Sequence, residues 1–139
     1  MDPNRERLCR RHLRFGWFAL LVFSVLGASL EGLHAFKLGF YLDVGQETRR
    51  LLWRLAHAHG IGLGLVNLAF AATLPLLRED AALERPSACL IAASVLLPFG
   101  FLLGGAFASG GDPGLPILLV PLALPLLFAA LFWTGRDVR

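Results

Sequence analysis

Residues 90–108 read LIAASVLLPFGFLLGGAFA, a run of nineteen positions without one charged side chain. A helix of about 20 apolar residues spans the hydrocarbon core of a bilayer, and four stretches of this chain reach that length. They run from about Phe15 to Phe40, Leu51 to Leu77, Ala88 to Ala108 and Leu115 to Trp133. A membrane β-barrel would need strands that alternate apolar and polar positions. LLVFSVLGASL and the run above are continuously apolar, so helices are expected. The segments between, Tyr41 to Arg50, Arg78 to Ser87 and Ser109 to Gly114, are too short to fold alone. The expectation is an all-α integral membrane protein, one domain over residues 1–139, forming an up-down four-helix bundle.

Composition agrees: 56% of residues are hydrophobic and 17% charged, with mean hydropathy +0.64. An ordinary soluble domain is nearer half apolar and a quarter charged. The net charge of +3 does not point to nucleic acid, because the basic residues lie at the ends of apolar segments and not on one folded face. Of the Lys and Arg residues, nine (Arg5, Arg7, Arg10, Arg11, Arg14, Arg78, Arg85, Arg136, Arg139) fall on one predicted side and four (Lys37, Arg49, Arg50, Arg54) on the other. The positive-inside rule then places both termini in the cytoplasm, in a bacterial-type inner (plasma) membrane. Trp17 and Trp133 fall at the inner interface and Trp53 at the outer one. Cys9 and Cys89 are too few for a disulfide framework. The start of the chain reads as an uncleaved anchor, because the apolar stretch outruns the core of a signal peptide.

Polar residues inside apolar segments are costly and mark sites. On the first segment Ser24, Gly27, Glu31, His34 and Tyr41 recur at helical spacing; on the second, His57, Gly60, Gly64, Asn67 and Ala71 do the same. Each segment thus carries one small-and-polar stripe, the kind that meets another helix. His34 and His57 each lie about six residues inside the expected outer ends, which predicts one shared level about 9 Å deep. Glu31 is one turn from His34. His59 is turned about 200° from His57 and is expected to face a later helix or a neighbouring protomer.

Imidazole and carboxylate ligate first-row metals, and two facing histidines can clamp a haem. The candidate cofactor site is therefore His34, His57 and Glu31, with His59 in addition, for haem or a transition metal. Arg49, Arg50 and Arg54 are candidates for headgroups or for an anionic ligand such as a haem propionate. The later segments hold no Asp, Glu or His, so a di-iron centre within one chain is not expected. Gly60 and Gly64, and Gly100 and Gly104, are expected packing positions, in the bundle or between protomers. Pro116, Pro121 and Pro125 are expected to bend the last helix.

LAHAHGIGLGLVNLAF, Leu55 to Phe70, resembles the His-Ala-His helix of haem-copper oxidase and nitric-oxide reductase relatives. The resemblance covers 16 residues and implies a haem-ligating or metal-ligating role for His57 or His59. That family's catalytic core takes further histidines from later helices, which this chain lacks, so a binuclear oxygen-reducing centre is excluded.

No phosphate loop, nucleophile triad or zinc motif is present. Three functions stay open. One is a haem or metal protein for electron transfer, or as accessory subunit of a larger membrane complex. Another is a small oligomeric proton-coupled transporter using Glu31. The last is a structural subunit without cofactor.

Overall fold

The computed structural model describes residues 2–138, so Arg139 of the charge count lies outside the described residues. Five helices follow in order: α1 (Pro3–Ala35), α2 (Gly39–Leu42), α3 (Glu47–Thr73), α4 (Glu84–Ala106) and α5 (Leu119–Arg136). Four segments, Pro3–Ala35, Val44–Leu76, Glu84–Ala106 and Leu115–Arg136, are long and apolar enough to cross a membrane, which marks a multi-pass membrane protein. Among the described residues there is no strand element, only two isolated bridges.

The first helix departs from its expected limits at both ends. It begins at Pro3, which is preset for a first helical turn and has no N–H left unpaired there. It stops at Ala35 because Lys37 adopts φ 52°, the left-handed conformation usually left to glycine. The Leu38 N–H then returns to the Leu33 carbonyl (3.1 Å) and the Lys37 N–H to that of His34 (3.1 Å), closing the last turn. Thirty-three residues make α1 about 50 Å long, well beyond the about 30 Å of a hydrocarbon core. Its arginine-rich opening turns therefore run past the apolar stretch.

The long helices lie side by side in the order α1, α3, α4, α5. Lipid tails are as apolar as leucine, so close approach of backbones has to hold such helices together. Glycine supplies it on α3: a methyl at Gly60 would strike the Phe23 ring, and one at Gly64 would meet the Gly16 carbonyl and Leu20. On α4, Gly100 and Gly104 face Leu119, Val120 and Ile117, and Gly105 lies under the Trp53 indole. An apolar cluster of Leu8, Phe70, Leu74, Leu77, Leu83, Leu90 and Ala130 fills one end of the molecule, and Leu63, Leu97 and Ala123 fill the middle.

Proline acts at fewer places in the last helix than expected. Pro116 belongs to a 3-10 turn, Leu115–Leu118, ahead of α5. Pro121 sits in the first turn of α5, where its missing N–H has no partner to lose. Pro125 alone is interior to α5, and Pro98 is interior to α4.

Candidate functional site

Between α1 and α3, toward the C-terminal end of α1, lies an open groove of about 960 Å³. It is bordered by Ser24, Gly27, Glu31 and His34 from α1 and by Arg50, Arg54 and His57 from α3, with Tyr41 at one end. The α1 stripe reaches it because the buried line of that helix runs through Leu8, His12, Gly16, Phe23 and Leu30. Ser24, Glu31 and His34 fall beside that line and are left exposed.

His57 is the best-held member. Its Nδ1–H donates to the Phe23 carbonyl at 2.7 Å, and the ring rests on Gly27, where any side chain would collide with it. That bond fixes the tautomer and leaves Nε2 with a free lone pair. No buried side-chain nitrogen or oxygen lacks a partner among the described residues, so Nε2 is not sealed off, and His57 lines the groove. The side chains of Glu31 and His34 have no hydrogen-bond or ion-pair partner among the described residues.

The expectation of one shared level is corrected. His57 seats against Gly27, seven residues before His34, or about 10 Å along the α1 axis. The cause is twofold: α1 ends early, which leaves His34 in its last turn, and α3 begins early, at Glu47, which puts His57 ten residues inside it and not six. Among the described residues no group of three or more His, Cys, Asp and Glu could hold a metal ion.

The other predicted residues part ways. His59 turns to α4: its Nδ1–H donates to the Leu55 carbonyl at 2.8 Å and its ring lies 4.9 Å from Phe101. Arg49 is spent on the carbonyls of Phe40, Gly105 and Ala108 and lies 5.9 Å over the Trp53 ring. Arg50 borders the groove while donating to the carbonyls of Tyr41 and Asp43, each at 3.0 Å. Arg54, exposed, borders it without a partner among the described residues.

A second polar site was not anticipated. His12 is completely buried where α1, α3 and α4 meet. Its Nδ1–H donates to Asn67 Oδ1 at 2.7 Å, and Nε2 lies 2.8 Å from the Ser87 hydroxyl. Asn67 Nδ2 donates in turn to the Leu63 carbonyl and to Ser94 Oγ, both at 2.8 Å, and Ser94 donates to the Leu90 carbonyl. Phe70 packs on the imidazole at 4.4 Å. A neutral ring satisfies every group here. The available signal was the spacing Leu8, His12, Gly16, which is legible only once α1 is known to start well before residue 15.

No family model, no curated protein and no solved structure matches the chain.

Proposed function

We propose that the chain is a membrane protein of the inner (plasma) membrane, with helices that run alternately up and down, both termini cytoplasmic and the groove toward the outer leaflet. In this reading the groove binds haem, for electron transfer or as accessory subunit of a larger membrane complex. The observation that carries it is His57, held by the Phe23 carbonyl with Nε2 left without a partner and the residue lining a groove of about 960 Å³. An imidazole anchored through its second nitrogen is the usual arrangement for a ligating histidine. Arg50 and Arg54 on the same border match carboxylates such as propionates. The resemblance of Leu55 to Phe70 to the His-Ala-His helix supports the same role for His57.

Haem suits the donors better than a lone transition-metal ion. One ion needs several ligands within about 2.0–2.2 Å of itself, and the His57 ring, from α3, seats at Gly27, about 10 Å along the α1 axis from the position of His34. For the same reason the two histidines are poorly placed to hold one iron together, and His57 is the residue that would hold a haem. A bound haem supplies a one-electron centre. The residues of this chain would anchor it through His57, orient its acidic edge through Arg50 and Arg54, and leave Glu31 and His34 at the open border.

The test is haem content. Full-length protein purified in mild detergent, then titrated with haem, is read by its Soret absorption and pyridine haemochrome. Stoichiometric binding that falls more than tenfold in His57→Ala, and little in His59→Ala, is expected. Wild-type protein that acquires no haem overturns the reading.

Glu31 favours a second reading. A carboxylate without a partner among the described residues, on a helix long and apolar enough to cross a membrane, is the usual mark of a proton path. Proton-coupled flux in proteoliposomes that is abolished by Glu31→Gln would support the transporter and exclude the haem protein as the main function.

A further inference from the structure

The other end of α1 carries a second recess, unconnected with the groove. It has a volume of about 480 Å³ and is lined by Arg7, Arg10, Arg11, Arg14, Phe15 and Ile91. Positions 7, 10, 11 and 14 share one face of α1 by helical spacing, while Leu8 and His12 turn the opposite way into the core. Two of the four arginines are neutralised within the chain, Arg7 by Glu84 and Arg10 by Glu6. Arg11 and Arg14 have no acidic partner among the described residues.

We infer that this recess binds the phosphate of an anionic phospholipid, with Arg11 and Arg14 as the principal contacts. Guanidinium forks match phosphate oxygens two at a time, and paired forks fix such a group where a diffuse charge would not. Phe15 and Ile91, both half-buried, give the recess an apolar wall on the side where the chain becomes continuously apolar. A free phosphate ion gains nothing from that wall. A phospholipid does, because its glycerol and first methylenes continue from the headgroup along Phe15 and Ile91. The recess is also larger than one phosphate needs. The location, beside the boundary between the arginine-rich turns of α1 and its apolar stretch, is where headgroups lie.

The experiment uses full-length protein in a neutral detergent, titrated separately with phosphatidylglycerol, phosphatidylcholine and inorganic phosphate. Retained lipid is counted by native mass spectrometry and stabilisation by thermal unfolding. Phosphatidylglycerol is expected to be retained and to stabilise, and the other two are not. At about fivefold per arginine, Arg11→Gln with Arg14→Gln should weaken phosphatidylglycerol about 25-fold. Arg11→Lys with Arg14→Lys, which keeps the charge and removes the forks, should weaken it severalfold. Arg85→Gln, which removes one charge at an exposed α4 position outside the recess, should leave it within twofold of wild type, against about fivefold for one recess arginine. Equal weakening by Arg85→Gln, charge for charge, would mean a diffuse surface field and overturn the site. Equal stabilisation by inorganic phosphate would overturn the lipid assignment, and undiminished retention in the glutamine variant would remove the arginines from it. Circular dichroism confirms that each variant is folded before it is scored.

Discussion

The seam between α1 and α3 contains a histidine at each end, and the two ends treat it in opposite ways. At the N-terminal end of α1, His12 is sealed among Asn67, Ser87 and Phe70, with both ring nitrogens engaged. At the C-terminal end, His57 spends one nitrogen on the Phe23 carbonyl, and Glu31 and His34 border an open groove with no partner among the described residues. A third helix makes the difference. Ser87 and Ser94 of α4 close the network around His12, whereas the groove is bordered by α1, the segment after it and α3. Polar groups that complete their hydrogen bonds inside the protein hold helices together; groups left open are available to a ligand.

The largest effect should come from breaking the sealed end. Asn67→Leu removes three hydrogen bonds and strands His12 Nδ1–H, a loss of about 3 kcal/mol where each orphaned buried group costs about 1–3 kcal/mol. Bilayer-type interhelical bonds average nearer 0.6 kcal/mol. The larger figure should prevail because a buried donor is left with nothing to bind, and reversible unfolding in detergent by tryptophan fluorescence would measure it. A loss under about 1 kcal/mol would mean that water or a repacked side chain replaces Asn67.

Packing between the two ends comes next. Gly60→Ala puts a methyl against the Phe23 ring, an overpacking of about 1–3 kcal/mol. Gly62→Ala, two residues away with nothing within 4 Å, should be neutral or slightly stabilising. The same unfolding assay compares them, and equal behaviour would mean that the seam is looser than described.

The open end should be thermodynamically quiet. Glu31→Gln and His34→Ala are expected to stay within about 0.5 kcal/mol of wild type, as exposed positions do. A large loss in either would assign these residues to packing and erase the contrast with His12.

The smallest effect is in pH. Near the sealed end, Asp137 is held below the usual carboxylate range, first by its hydrogen bond with Arg136. A depressed folded value contributes stability above the unfolded pKa of about 3.9, and that share is lost as pH falls through the folded value. A slight drop in thermal stability below about pH 4, absent in Asp137→Asn, is expected.

Much of the architecture was legible because each long helix is written in consecutive residues. The apolar runs, the small-residue stripe on α3 and the turn of His59 away from His57 all follow from 3.6-residue periodicity. Within the groove, Glu31, His34, His57, Arg50 and Arg54 could be singled out as ionisable residues in or beside apolar segments. Arg49 could not be separated from Arg50, because its capture by carbonyls of Phe40, Gly105 and Ala108 draws on residues up to 59 positions away.

Sequence alone determined four spanning-length helices and the residues that make two of them polar, since length, hydropathy and helical phase are local properties. Only the tertiary structure decided where α1 begins and ends and where α3 begins, and with them the depth of each histidine. Lys37 in a left-handed conformation ends the helix at a residue whose type does not announce it. The structure likewise decided that His12, in an arginine-rich leader, is core while His34, in an apolar stretch, is surface. Burial depends on which other helices pack alongside, and α4, which completes the His12 network, lies more than 70 residues further along the chain.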